Sequence, residues 1–298
     1  MTDPLSQIIA LLQPRAIISK GMSGAGAWGV RYAEFGYPGF CAIIEGGCRL
    51  AVEGEEAISL EQGDFVLLPA TPAFTMASFE PATPVRIDPK VTPPPTGDVR
   101  YGRADGPPDV RLFGGHFVFD SPDAALLVSL LPRMIHIRGV PRLSTLVQLV
   151  GEEASVERTG RDLILTRLVE LLLIEALRSV EGKKAPAGLL CGLADARVSA
   201  ALREIHADPG RSWTVKDLAG GAGMSRSAFF DRFTRKVGLR PMEYLLAWRM
   251  AVAKDLLRSR TIALDEVARR VGYGSANTFS IAFSRHVGQP PGRYARQA

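Results

Sequence analysis

Two segments in the last third of the chain place apolar residues at every fourth position, the period of a helix with one buried face. The first carries Phe229, Phe233 and Val237, and the second Phe279, Phe283 and Val287. Between them Pro241 to Leu257 starts with a proline where a helix tolerates one and continues with Tyr244, Leu245, Trp248, Ala251, Val252 and Leu256 at helical spacing. Residues 123–180 also read as helices, and Leu163 to Leu177 is apolar on more than one face, which predicts burial against the preceding domain and against a second subunit. Nearer the N-terminus the period shortens. Phe40 to Val52 is a β-rich run broken at Gly46-Gly47, Gly54-Glu55 suits a tight turn, and Gly63-Asp64 leads into an apolar strand stopped by Pro69. Residues 24–87 are therefore expected to form a small antiparallel barrel. Pro93-Pro94-Pro95, Gly97, Gly102, Gly106, Pro107 and Pro108 predict a loop, and Gly182 to Gly188 a linker.

The two helical segments belong to an internal repeat. Asp217-Leu218-Ala219 recurs as Glu266-Val267-Ala268 and Ala222-Gly223 as Val271-Gly272, at an offset of 49; Ser225, Phe229, Phe233, Gly238, Pro241 and Tyr244 then match Ser275, Phe279, Phe283, Gly288, Pro291 and Tyr294 at an offset of 50. Each copy reads as a helix-turn-helix. Thr214 is placed to cap the first short helix with Asp217 three residues on, Ala219 supplies the small side chain wanted at a close helix crossing, and Gly223 supplies a left-handed turn residue. Ser225 then caps the second helix. Two such units joined by about 25 Å of helix could enter successive major-groove segments from one chain.

Charge sharpens this picture. The net charge of +5 divides unevenly: residues 194–298 hold 18 Lys and Arg against 9 Asp and Glu, the remainder 18 against 22. A basic C-terminal third on a mildly acidic body is expected of a polyanion-binding module attached to something else. Cys41, Cys48 and Cys191 are too few for a disulfide framework, and neither a signal peptide nor a membrane span is visible, which favours the cytoplasm.

The residues from Trp213 to Ala219, Met224 to Phe233, Gly238 to Leu245, Val271 to Tyr273, Phe279 to Phe283 and Gln289 to Tyr294 together resemble the AraC/XylS family of transcription regulators. The resemblance implies two helix-turn-helix units bridged by a long helix, with bases read from the outer face of each second helix. Carried onto this chain, the base-reading positions are Arg226, Ser227, Phe230 and Asp231 in the first copy and Ala276, Asn277, Ser280 and Ile281 in the second. Arg226 suits guanine, Asn277 adenine, Phe230 a thymine methyl and Asp231 a cytosine amino group. Phe230 could instead fold into the core, and Asp231 could pair with Arg235. Arg232, Arg235, Lys236 and Arg285 are the expected phosphate partners.

The predicted barrel, with Gly114 to Asp120 and Leu130 to Pro132, resembles the cupin-type sensor domain at the front of many members of that family. Three domains follow: 1–181, a cupin-like sensor and dimerisation domain; 182–194, a linker; and 195–298, the double helix-turn-helix. The fold class is α+β, an antiparallel β-barrel with a helical dimerisation segment followed by an all-α domain. The expected function is that of a sequence-specific regulator answering to a small-molecule or redox signal, with promoter DNA, an unknown effector, a second copy of the chain and RNA polymerase as partners. Trp28, Tyr32 and Phe40 are candidate effector walls, and Cys41 and Cys48 a candidate redox pair. The alternative is a metal-dependent cupin enzyme fused to a DNA-binding module. No histidine precedes His116, and Cys41 and Phe74 stand where metal cupins place ligands, so neither metal, cofactor nor catalytic residue is assigned.

Overall fold

The computed structural model describes residues 3–12, 14–91, 98–119, 131–179, 188–259 and 262–297. The chain divides into two compact units, Pro14–Val118 with Pro132–Val180, and Met1–Gln13 with Phe119–Leu131 and Glu181–Ala298.

The first unit is a curled sheet backed by a helical hairpin. Its strands are β1 (Pro14–Ala25), β2 (Gly29–Tyr32), β3 (Gly39–Val52), β4 (Ile58–Glu61), β5 (Phe65–Leu68), β6 (Phe74–Ala77), β7 (Val85–Ile87), β8 (Val99–Gly102), β9 (Val110–Phe119) and β10 (Ile135–Ile137). The main path runs β7-β2-β6-β3-β9-β1-β8, with β4 on β3 and β10 on β5. β3 is the organising element. Its first half pairs with β5 and β9 and its second with β4 and β6, so one strand serves both parts of the sheet.

The expected break at Gly46-Gly47 is instead a continuous strand carrying an irregularity between Ile43 and Glu45. An inserted residue shifts the in–out alternation. Cys41 and Ile43 before it and Cys48, Leu50 and Val52 after it consequently enter the same core, with Trp28, Val30, Leu60 and Met76. Three further corrections concern the expected elements. The barrel is not wholly antiparallel, because β1 pairs with β8 and β2 with β7 in parallel. Val99–Gly102, expected within a loop, is a strand, and so is Ile135–Ile137, expected to be helical. Residues 92–97 and 120–130 of those expectations lie outside the described residues.

Of the helices, α1 (Pro4–Leu12) precedes β1 in the chain, and α2 (Pro141–Ser155) and α3 (Arg161–Ser179) follow β10. α2 and α3 form the hairpin, with Arg161 donating through Nη2 to the Ala154 carbonyl at 2.7 Å and so closing the C-terminal end of α2. α3 turns Leu165, Val169, Leu172, Leu173, Ala176 and Leu177 inward. Gly151 lets α2 approach β3: a β-carbon there would stand 2.7 Å from Ile44.

The second unit holds α1 with α4 (Leu189–Ala194), α5 (Ala196–Ala207), α6 (Val215–Gly221), α7 (Arg226–Val237), α8 (Pro241–Ser259), α9 (Leu264–Arg270), α10 (Ala276–Val287) and α11 (Pro291–Gln297). Two segments near the expected boundaries pack into this unit. Leu189 and Leu190, assigned to a linker ending at 194, are buried residues of a helix, because Gly188 donates to the Lys236 carbonyl at 2.8 Å and Leu189 joins the core around Phe229 and Phe233. Residues 182–187 of that linker lie outside the described residues. α1, expected within the sensor domain, buries Ile8 in the same core. It is fastened there by His206 of α5, whose Nδ1 donates to Gln7 Oε1 at 3.1 Å while Nε2 accepts from the Tyr244 hydroxyl at 2.7 Å. A side-chain amide oxygen can only accept, so Nδ1 carries a proton, and burial, which pushes the imidazole down to about 3, leaves Nε2 unprotonated and able to accept near neutrality. The ring also stacks on Trp248, with centroids 3.7 Å apart.

Candidate nucleic-acid interface

In the first helix-turn-helix, α6 begins with a complete capping box. Thr214 Oγ1 accepts from the Asp217 amide at 3.2 Å and Asp217 Oδ2 accepts from the Thr214 amide at 3.0 Å. The chain turns at Gly223, with φ of +62°, and α7 starts under the Ser225 cap. Phe229, Phe233 and Val237 are fully buried. In the second unit, Gly272 turns the chain at φ of +82°, Ser275 accepts from the Thr278 amide at 3.2 Å, and Phe279 and Phe283 are fully buried. The repeat therefore yields two recognition helices, α7 and α10, each held by its aromatic face.

The opposite faces remain open. On α7, Arg226, Ser227, Asp231 and Arg235 are exposed, whereas Phe230 and Lys236 are half-buried. Asp231 forms no ion pair with Arg235 among the described residues, so its carboxylate is free to accept. On α10, Asn277 and Arg285 are exposed, and Ile281 is 57% exposed, an unusual position for so apolar a side chain unless something covers it. Ala276 and Ser280 are half-buried, and Ser280 Oγ donates to the Ala276 carbonyl at 2.7 Å, which leaves its lone pairs for a ligand but uses its proton.

Arg232 differs from the other basic residues expected to meet phosphates. Its guanidinium grips Asp195, with Nε at 2.9 Å from Oδ2 and Nη2 at 2.8 Å. Asp195 is also the N-cap of α5 and accepts from the Arg197 and Val198 amides. Burial by itself pushes the pKa of its carboxyl up, but the hydrogen bonds from Arg232 and from those amides outweigh it and hold the group below the usual carboxylate range. Arg232 thus ties α7 to α5. Asp195 preceding a helical run was a legible cap signal; its partner 37 residues on was not.

In the first unit the candidate effector walls separate. Trp28 stacks on Tyr101 with ring centroids 6.3 Å apart, and Tyr32 on Phe74 at 4.9 Å, all four bordering the same core. Phe40 lies on the other face of β3, against Phe65 and Phe117. The sequence reading missed Tyr101, which lay in a segment read as loop. Cys41 and Cys48 are free thiols of one core. Burial pushes the Cys41 thiol well above its ordinary value and that of Cys48 up to about 12, with Asp64 adding to both. Both stay protonated near neutrality, the unreactive form.

Asp64 itself is buried and saturated. It accepts from the Glu61 amide, from Arg138 Nε at 2.9 Å and from His136 Nε2 at 3.0 Å, an arrangement that pins β10 against the turn before β5. Among the described residues no three His, Cys, Asp or Glu side chains gather as metal ligands do, and no helix is long and apolar enough to cross a membrane.

Comparisons with known proteins agree with this architecture. Residues 3–181 match a cupin family and residues 218–297 a helix-turn-helix domain family. An AraC-like transcription regulator of Streptomyces lividans is 36% identical, with 99% of this chain and 98% of that protein covered; its counterpart in Streptomyces antibioticus is 35% identical over the same shares. Among solved structures, unsaturated fatty acid-bound ToxT from Vibrio cholerae aligns over 94% of this chain and 95% of its own, at 12% identity and a TM-score of 0.37. The DNA-binding domain of AdpA in complex with a target DNA aligns over 35% of this chain and 92% of its own, at 29% identity and a TM-score of 0.32. With a cupin domain followed by paired helix-turn-helix units, and with whole-length relatives of that description, this chain belongs to the AraC-like family of DNA-binding transcription regulators.

Proposed function

We propose that both helix-turn-helix units of one chain read double-stranded promoter DNA, α7 through Arg226, Ser227, Phe230 and Asp231 and α10 through Asn277 and Ile281, with Ala276 and Ser280 lining the approach. The carrying observation is the division of each recognition helix: its aromatic face is fully buried, while its opposite face keeps polar and apolar groups exposed without partners among the described residues. Arg235, Lys236 and Arg285 supply phosphate contacts. Arg232 leaves that set because its charge is already paired. Duplexes selected from a random pool provide the test. Affinity should fall with a log–log salt slope of about −0.9 per phosphate contacted. Asn277→Ala should relax discrimination at one base pair by about 1–3 kcal/mol. Equal losses on all duplexes would remove Asn277 from the base-reading set.

The effector reading favours a small apolar or aromatic molecule beside Trp28, Tyr32, Tyr101 and Phe74, where ring faces border one core. It is supported over a redox signal by the protonated state of both thiols. Thermal-shift screening against small apolar and aromatic compounds tests it, with Tyr32→Ala expected to abolish any shift.

A second copy of the chain is the proposed partner for the α2–α3 hairpin. Leu149, Val156 and Ile164 are exposed around a groove of about 410 Å³, and Leu163 and Leu171 extend the apolar surface. Sedimentation should show a dimer at micromolar concentration and a monomer for Leu163→Glu with Leu171→Glu. RNA polymerase is the partner through which the bound regulator would act, in the cytoplasm, and no catalytic role is assigned.

A further inference from the structure

The two helix-turn-helix units are joined at a second place besides α8. Gly210, in the loop between α5 and α6, lies so close to the end of α9 that a β-carbon there would stand 3.0 Å from the Arg270 carbonyl oxygen and 3.3 Å from that of Arg269. From the other side, a β-carbon on Gly272, the turn residue of the second unit, would stand 2.7 Å from the Gly210 carbonyl oxygen. Two bare backbones therefore meet where any side chain would hold them apart. Arg249 locks the meeting. Rising from α8, it donates through Nε to the Pro209 carbonyl at 2.7 Å and through Nη2 to the Arg211 carbonyl at 2.9 Å, and its guanidinium lies against Gly272.

A single helix linking two units leaves them a bending and twisting freedom at its ends. α8 spans 19 residues, about 28 Å. A contact off the axis of that rod removes much of the freedom, because rotation of the second unit must break the Gly210–Gly272 approach and unseat the arginine. One base pair of added spacing displaces a half-site by about 3.4 Å and turns it by about 34°. A rod flexing at its ends could follow that displacement; a rod braced at a second point could not.

We propose that Arg249 and the Gly210–Gly272 contact form a joint that sets the angle between α7 and α10, making Arg249 and Gly210 positioning residues that fix the half-site spacing the chain accepts. This rests on the reading in which both units enter DNA. It assigns a role to residues that face neither bases nor phosphates.

The test uses the full chain and duplexes selected from a random pool, with one or two base pairs inserted or deleted between the segments each unit protects. Wild type should lose on the order of tenfold in affinity for one inserted pair, because the second unit then contributes little to the effective local concentration. Arg249→Met, which keeps the stem and loses the donors, should bind the parent duplex more weakly and reduce the insertion penalty to about threefold or less, with affinity for an isolated half-site unchanged. Arg249→Lys should fall between the two. Gly210→Ala, which adds only a methyl group against the Arg270 carbonyl, should shift or broaden the preferred spacing, and it decides the matter alone if Arg249→Met proves unfolded by circular dichroism. Variants that keep the wild-type insertion penalty would overturn the joint. Wild type indifferent to insertion, or to scrambling of one half-site, would instead overturn the two-unit reading, and the joint with it.

Discussion

The two helix-turn-helix units share a sequence pattern but not an anchorage. The first is surrounded: α1, α4 and α5 pack on it, and Ile8, Leu189, Val198, Leu202, Ile205 and Trp213 extend the core around Phe229 and Phe233. Arg232 clamps α7 to Asp195, and Thr214 caps α6. The second core is smaller, built from α8, α9, α10 and α11 around Phe279 and Phe283. Its position equivalent to Arg232 is Ala282, and its cap position is Ala263, which makes no side-chain cap hydrogen bond. A repeat therefore preserves what each unit needs to form, while neighbours determine how firmly each is held. The first unit is the better candidate for a fixed platform, and the second for the element whose placement depends on α8 and on the contact at Gly210.

The largest test removes one core aromatic from each unit. Phe233→Ala and Phe283→Ala should each cost about 3–5 kcal/mol. Loss at Phe283 should unfold the second unit locally, seen as hydrogen exchange confined to α9–α11, whereas loss at Phe233 should lower the stability of the whole C-terminal unit. Equal, global effects would erase the proposed difference.

Acid should reverse the ranking. Burial pushes the His206 imidazole down to about 3, with Asp3 opposing the shift. Between about pH 6.5 and 3 the unfolded chain binds a proton that the folded chain does not, so stability falls as pH drops through that window, by about 1.4 kcal/mol per pH unit. Urea unfolding at pH 7 and pH 5 should show this loss in wild type and a flatter profile in His206→Gln, and the loss should concentrate in α1, α5 and α8.

Asp195→Ala should cost about 1–2 kcal/mol through the lost N-cap alone, and it also releases Arg232. Denaturation with probes in each unit should place the effect in the first. The smallest effects concern the caps of α6 and α9. Thr214→Ala should destabilise by about 1 kcal/mol, and Ala263→Asp, at an extended backbone position suited to a cap, should stabilise by about 0.5–1 kcal/mol. If both changes were silent, the difference in capping would play no part in the difference in anchorage.

Much of the DNA-binding half was legible because its signals are local. Caps at Thr214, Ser225 and Ser275, glycines at 223 and 272, and aromatics four apart each act within one or two turns of helix, and two copies in register identified the module. The sheet unit was less legible. The irregularity in β3 that brings Cys41 and Cys48 to one core, the parallel pairings, and the placement of Phe40 away from Trp28 and Tyr32 depend on strands far apart in the chain. Tyr101 and β8 were hidden in a segment whose glycines and prolines read as loop.

Short-range order was thus decided by the sequence itself: which residues form the two recognition helices, where they start and turn, and which side of each faces outward. Tertiary structure alone decided that Arg232 is bound to Asp195, that α1 belongs with the DNA-binding unit, and that Arg249 meets the loop at Gly210. Helix periodicity and capping are written in residues a few positions apart, whereas an ion pair or a backbone contact between distant segments exists only once the chain has closed the loops between them.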